Sequence, residues 1–160
     1  LPLRVTHNDT KLNNVLLDER TMKGLCVIDL DTVMPGSSLY DFGDAVRFGA
    51  STAAEDEEDL SKIGLDMEKY RLFTEGFLRE TNGFLTEKEI GLLPLGVKVI
   101  TCELAMRFLT DYIDGDRYFK VNSPTHNLAR AHAQMKLLTD IEAKEEEMYR
   151  VLMEIIREET

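Results

Sequence analysis

Runs rich in β-formers lie only within the first thirty residues of this chain, and from residue 66 onward its apolar residues recur almost wholly at helical spacing. Strands gathered at one end and helices at the other imply an α+β fold, not an alternating α/β one. A short strand is expected over residues 3–6, followed by a hairpin of "NVLLD" (14–18) and "GLCVIDL" (24–30) joined through "ERTMK". "TVMPGSSLY" (32–40) reads as loop, and "YDFGDAVRFGA" as a helix with Asp41 at its N-cap. Tyr70, Phe73, Phe77 and Leu78 form one face of a helix over 66–83 that stops at Gly83. Thr86 and Glu89 form a capping-box pattern, and a further helix, interrupted or begun afresh at Pro94, runs to about Ile113. From Thr125 the chain reads as helix to nearly its end, with Leu128, Ala131, Met135 and Leu138 on one stripe that Leu152 and Ile155 resume.

The 160 residues carry a net charge of −11, which disfavours a nucleic-acid partner because that affinity rests on Lys and Arg neutralising phosphates. A phosphorylated small molecule stays compatible where a metal supplies positive charge. No run reaches the roughly 18 apolar residues of a membrane span, and no leader-like segment opens the chain. Cys26 and Cys102 sit in apolar runs and read as buried free thiols of a reducing, cytoplasmic protein. "EDEED" (55–59) reads as a solvated, mobile loop. His126 and His132 read as ordinary helix residues and the methionines as core filler.

"THNDTKLNNVLLD" (6–18) crowds hydrogen-bonding groups against the first hairpin strand. If the turn centres between Thr21 and Met22, Asn14 lies opposite Asp29, about 5 Å apart at Cβ. An amide and a carboxylate meeting there form an oxygen-only donor set that suits Mg²⁺ shared with substrate phosphates. Asp9, on the loop before Asn14, is then placed to face a substrate hydroxyl as a base, and Lys11 to reach a transferring phosphoryl group as a point charge. These are the parts of phosphoryl transfer, and His7, Asp9 and Asn14 fit the catalytic-loop pattern H-x-D-x-x-x-x-N. His7 is expected to brace the backbone and not to move a proton.

A literal "DFG" stands at Asp41–Gly43, yet Asp41 opens a helix after a long excursion, so the metal role goes to Asp29 and Asp41 is assigned structural support of the loop. Asp31 either adds a metal ligand or pins the following turn. "LCVIDLDTV" also fits a dehalogenase-like phosphatase, with Asp29 as nucleophile and Asp31 as acid, but that fold needs alternating strands and helices after residue 50. A sulfatase has no signature here: Cys102 and Arg107 have the wrong spacing and lack the required Pro or Ala.

The pairing of "THNDTKLNNVLLD" with "VIDLDTVMPGSSLYDFGDAVRF" resembles the aminoglycoside phosphotransferase/choline kinase superfamily. Within it the chain is similar over nearly its whole length, including "RFLTDYIDGDRYFKV", to the C-terminal lobe of N-acetylhexosamine 1-kinases. The resemblance implies the mostly helical lobe of a kinase-like fold, with ATP and Mg²⁺ as cofactors and the anomeric hydroxyl of GlcNAc or GalNAc as acceptor. It implies Asp9 as base, Asn14 and Asp29 as metal ligands, and Arg107 and Tyr118 as sugar contacts. By residue chemistry alone, an Arg on an amphipathic helix is a solvated or ion-paired group and a loop Tyr is rim packing. The resemblance further implies that an N-terminal lobe is the chain's partner, that residues 1–160 are a fragment, and that the fragment alone is inactive. Aminoglycoside, choline and homoserine kinases use similar loops, and a non-catalytic kinase-like binding module is the remaining alternative.

Overall fold

The computed structural model describes residues 1–81 and 83–158. Two small antiparallel ribbons precede a helical body. Strand β1 (Arg4–Thr6) pairs with β4 (Met34–Gly36), and β2 (Val15–Leu17) pairs with β3 (Gly24–Val27). Helices α1 (Ser38–Gly49), α2 (Met67–Glu80), α3 (Glu87–Gly91), α4 (Leu93–Ile113), α5 (His126–Ala143) and α6 (Glu145–Glu158) follow. The expected α+β, mostly helical architecture is what the chain adopts.

Capping sets the helix ends. Asp66 accepts from the backbone N–H groups of Glu68 and Lys69 to start α2, and Thr86 and Glu89 cap reciprocally at α3. Leu92 alone separates α3 from α4, whose first turn carries Pro94. Helix α4 packs against both α1 and α5. The core gathers Phe42 and Val46 of α1, Tyr70 of α2, Leu93 and Val97 of α4, Leu137 and Ile141 of α5, and Met148, Leu152 and Ile155 of α6. Tyr70, fully buried, donates its hydroxyl hydrogen to the Met148 carbonyl (3.3 Å). The glycine of the literal D-F-G motif serves packing: a Cβ on Gly43 would stand 2.6 Å from the Gly96 carbonyl oxygen, so this residue lets α1 and α4 approach closely.

The structure departs from the sequence reading in several places. The cap of α1 is Ser37, whose hydroxyl accepts from Leu39 N, while Asp41 lies in the first turn. The segment 32–40 is not all loop, since Met34–Gly36 pairs with β1. The last helix is two helices, broken at Lys144, where the ammonium binds the Leu65 carbonyl and Asp140 (2.7 Å each). Met135 is exposed, and the buried stripe runs instead through Ala131, Gln134, Leu138 and Ile141. Cys26 is exposed, because both faces of β3 lie open, and Cys102 on α4 is half-buried. The acidic loop is tied down at four of its acids, Glu55 to Arg47 (2.8 Å), Asp56 to His126 (3.0 Å), and Glu57 and Asp59 to Lys62 (3.6 Å each).

A two-stranded ribbon is marginal alone, and β1 is anchored by Arg4, which donates to both oxygens of Glu89 (2.6 and 2.7 Å) and lies over the Phe84 ring. Glu89 is 1% exposed and also accepts from Ser38 and Thr86. The Arg4 guanidinium, against the opposing cost of burial, holds the Glu89 carboxyl far below its ordinary 4.5. A depressed carboxylate stabilises the fold above its unfolded value and loses that contribution as pH falls. Denaturation curves are therefore expected to show stability declining below about pH 4.5 in the native chain, and less steeply in Glu89→Gln. Parallel pH profiles for the two proteins would remove Glu89 from that role.

Candidate active site

The loop between β1 and β2 is held by α1 and by the turn after β3. His7 N and Asn8 N donate to the two oxygens of Asp41 (2.9 and 2.8 Å), and Thr10 donates to the Asp41 carbonyl. Asn8 has φ 63°, a left-handed conformation that Asn tolerates better than most residues, and its side chain donates to the Thr32 carbonyl (3.0 Å). Thr32 in turn donates to the His7 carbonyl (2.7 Å). Asp41 thus braces the loop from the first turn of α1, where a carboxylate is also favoured by the helix dipole.

His7 has both ring nitrogens engaged. Nδ1 accepts from Asp9 N (3.3 Å), which leaves Nε2 as the donor to the Ile28 carbonyl (3.0 Å). That tautomer ties the loop to the end of β3 and leaves no free nitrogen for proton transfer. Asp9 Oδ2 accepts from Asn14 Nδ2 (2.8 Å) and faces the Lys11 ammonium (3.0 Å). Asp9 Oδ1 has no hydrogen-bond partner among the described residues. Asn14 is buried and spends both amide hydrogens on Asp9, the second on its carbonyl (2.9 Å), so its Oδ1 is the atom left to accept.

The hairpin register differs by one residue from the sequence reading. Val15 pairs with Val27 and Leu16 with Cys26, and Ile28 N donates to the Asn14 carbonyl (2.9 Å), so Asn14 faces Ile28, not Asp29. A bulge at Leu16/Leu17 shifts the turn. One residue of slip would send Asp29 to the opposite face of a regular strand. Asp29 instead leaves the strand, with φ 61° and ψ 56°, and opens a short 3₁₀ turn over Leu30–Thr32. There its carboxyl shares a hydrogen bond with Asp31, which together with the negative charges of Asp31 and Asp9 raises its pKa against the opposing pull of Lys11. Asp9, Lys11, Asp29 and Asp31 therefore occupy one electrostatic neighbourhood.

Beyond Asp9 and Lys11 opens a cavity of about 350 Å³, lined also by Arg107, Tyr118, Phe119 and Arg130. The Arg107 guanidinium carbon lies 5.5 Å from the ring centres of both Tyr118 and Phe119. The loop that presents these rings is folded around Asp111, whose carboxylate accepts from the backbone N–H groups of Arg117, Tyr118 and Phe119 (2.8–2.9 Å) and from Asn127 (2.9 Å). Burial pushes the Asp111 carboxyl up, and these donors together hold it below the ordinary range. On another wall Arg47, 4% exposed, binds Asp44, Glu55 and Gln134 (2.8–3.1 Å). Burial opposes its charge, yet Asp44 and Glu55 outweigh that and raise its pKa.

Asp9 and Lys11 line the same cavity as Arg107 and Tyr118, Asn14 binds Asp9, Asp29 lies within charge reach of Asp9, Lys11 and Asp31, and His7 and Asp41 brace the loop. Sequence reasoning missed Asn8, Thr32, Asp44, Arg47 and Arg130. Only the Asn between two Thr in "THNDT" and the i, i+3 acid–base pair "DAVR" hinted at any of them. Both ribbons are antiparallel, and the described residues after 50 contain no strand beyond an isolated bridge, so a dehalogenase-like frame is absent. No helix among the described residues is long and apolar enough to cross a membrane. Residues 1–73 match the family model of the phosphotransferase enzyme family, APH. That stretch holds Asp9, Lys11, Asn14, Asp29 and Asp31 but not Arg107 or Tyr118, and the match supports the aminoglycoside phosphotransferase-like superfamily and with it a phosphotransferase.

Proposed function

We propose that this chain is the acceptor-binding, catalytic-loop half of an ATP-dependent small-molecule kinase whose acceptor is an N-acetylhexosamine, phosphorylated at its anomeric hydroxyl. The observation that carries the reading is that Asp9, whose Oδ1 has no partner among the described residues, lines one cavity together with Arg107 and Tyr118. A small hydroxylated ring can lie against those aromatic and guanidinium faces and present one hydroxyl to Asp9. Asp9 then accepts the hydroxyl proton as the oxygen attacks the γ-phosphoryl group, and Lys11 compensates the negative charge of that group. Asn14 and His7 hold the base in place, the first through its amide and the second through the loop backbone.

The donor chemistry fits Mg²⁺. Among the described residues no three acidic, imidazole or thiol groups converge on one point. Asn14 Oδ1 and the carboxylates of Asp29 and Asp31 would supply a sparse oxygen set of the kind that leaves positions for phosphate oxygens and water. Neighbouring carboxylates such as Asp29 and Asp31, which act on each other as like charges, are also a pair that a divalent cation relieves. When bound, the ion would neutralise charge on the phosphates. Asp29→Asn is expected to raise the Mg²⁺ concentration needed for half-maximal rate, and an unmoved Mg²⁺ titration would reassign Asp29.

A nucleotide-binding lobe is the proposed partner. Leu16, Leu17, Leu25 and Val27 of the second ribbon are 46–64% exposed, an apolar surface suited to being covered by it. The chain by itself is expected to make no ADP with any acceptor. The decisive experiment pairs it with that lobe and screens N-acetylhexosamines, aminoglycosides, choline and homoserine for ADP release, with ³¹P NMR of the product. An anomeric phosphate supports the reading. Turnover only with another acceptor replaces the sugar, and sugar binding without turnover makes the chain a binding module.

A further inference from the structure

The cations around the cavity differ in how they are compensated. Lys11 is paired with Asp9, and Arg47 with Asp44 and Glu55. Arg107 has only Glu103, 3.8 Å away on the exposed side of α4. Lys120 and Arg130, which line the same cavity, form no ion pair among the described residues. In a chain with a net charge of −11, three weakly compensated or uncompensated cations at one end of one cavity form a local positive field against the overall sign.

Arg130 has further geometry. Its Nη1 donates to the Lys120 carbonyl (3.2 Å) and to Asn127 Oδ1 (3.1 Å), and its guanidinium carbon lies 5.4 Å from the centre of the Phe108 ring. These contacts orient the planar group. Its Nε is buried without an acceptor, and Nη2 has none among the described residues, so the fork edge formed by Nε–H and Nη2 is unused. A buried donor without a partner is costly, and that edge matches two oxygens of a carboxylate or phosphate. A neutral hydroxyl or amide oxygen would answer one hydrogen bond but not the charge.

We propose that the end of the cavity formed by Arg130, Lys120 and Arg107 is an anion subsite, which takes a carboxylate or phosphate either carried by the acceptor away from its reacting hydroxyl or present as a free ion. That a ring acceptor joins this subsite to Asp9 rests on the phosphotransferase reading; the anion preference does not.

The test is calorimetric titration of the 160-residue chain at neutral pH with N-acetylglucosamine, N-acetylglucosamine 6-phosphate and inorganic phosphate. The 6-phosphate is expected to bind about ten-fold or more tightly than the neutral sugar, the effect of one bidentate charged contact. Arg130→Gln should erase that preference, and Lys120→Gln, at an exposed side chain, should weaken it about three-fold. Inorganic phosphate that matches the sugar phosphate and is lost in Arg130→Gln keeps the subsite and assigns it to the free ion. Equal affinity for neutral and phosphorylated sugar, or a preference undiminished in an Arg130→Gln chain, overturns the proposal. Should Arg130→Gln unfold, Lys120→Gln decides alone: an unchanged preference there overturns it. Failure of the kinase reading would show separately, as no ADP release with any acceptor when the chain is paired with a nucleotide-binding lobe, and would not move these titrations.

Discussion

Replacing Asp9 with Asn is expected to lower kcat by about 10²–10⁴-fold in the chain joined to the proposed nucleotide-binding lobe, with ATP affinity near its native value. The asparagine is isosteric and keeps an oxygen for Asn14 Nδ2, so the loop retains its shape. What disappears is the basic Oδ1, the oxygen without a partner, and the negative charge opposite Lys11. A steady-state comparison of native and variant enzyme at saturating ATP reads this directly. Unchanged turnover would end the assignment of Asp9 as base, and a large rise in the ATP constant with kcat intact would turn Asp9 into a binding group.

Arg47→Met is the change expected to damage the fold most, by about 3–5 kcal/mol in chemical denaturation at neutral pH. Arg47 is 4% exposed and Asp44 5%, and the guanidinium is the only cation reaching Asp44 among the described residues. Methionine fills much of the volume but leaves Asp44 as a buried charge without a partner. It also frees Glu55 and Gln134, and with them the first residue of the acidic loop and one tie between α1 and α5. Against a total stability of about 5–15 kcal/mol for a domain of this size, that loss is large. A midpoint within a few tenths molar of denaturant of the native one would show that the network contributes little beyond packing.

The two effects differ in kind, and the difference explains what could be read early. Asp9, Lys11 and Asn14 are near neighbours in sequence, so the pattern of types along one loop already states their chemistry. Asp44, Arg47, Glu55 and Gln134 meet only because α1, the acidic loop and α5 pack together. The same holds for Arg130, whose place in the cavity depends on where the loop around Asp111 turns back.

The hairpin shows the limit most clearly. Its existence follows from two β-rich runs and a short polar turn, but its register does not, because the turn falls earlier than the runs imply and the bulge at Leu16/Leu17 offsets only part of that displacement. Had β3 continued regularly, that slip would have carried Asp29 away from Asn14. The left-handed backbone at Asp29 returns its carboxyl to the charge field of Asp9, Lys11 and Asp31. No periodicity in the residues announces that conformation, since it is held by a turn whose partners lie elsewhere: Thr32 on His7, Asn8 on Thr32, and Asp41 on the loop.

By itself, then, the sequence determined the class of fold, the helix ends with local caps such as Thr86–Glu89, and the crowding of polar and charged side chains in the loop at 7–14. Those properties depend on interactions within a few residues, which side-chain type and spacing encode. Tertiary structure alone decided the strand register, the buried Arg47 network and the positive end of the cavity. Each of these joins groups far apart in the chain, and their energies depend on burial that only packing creates.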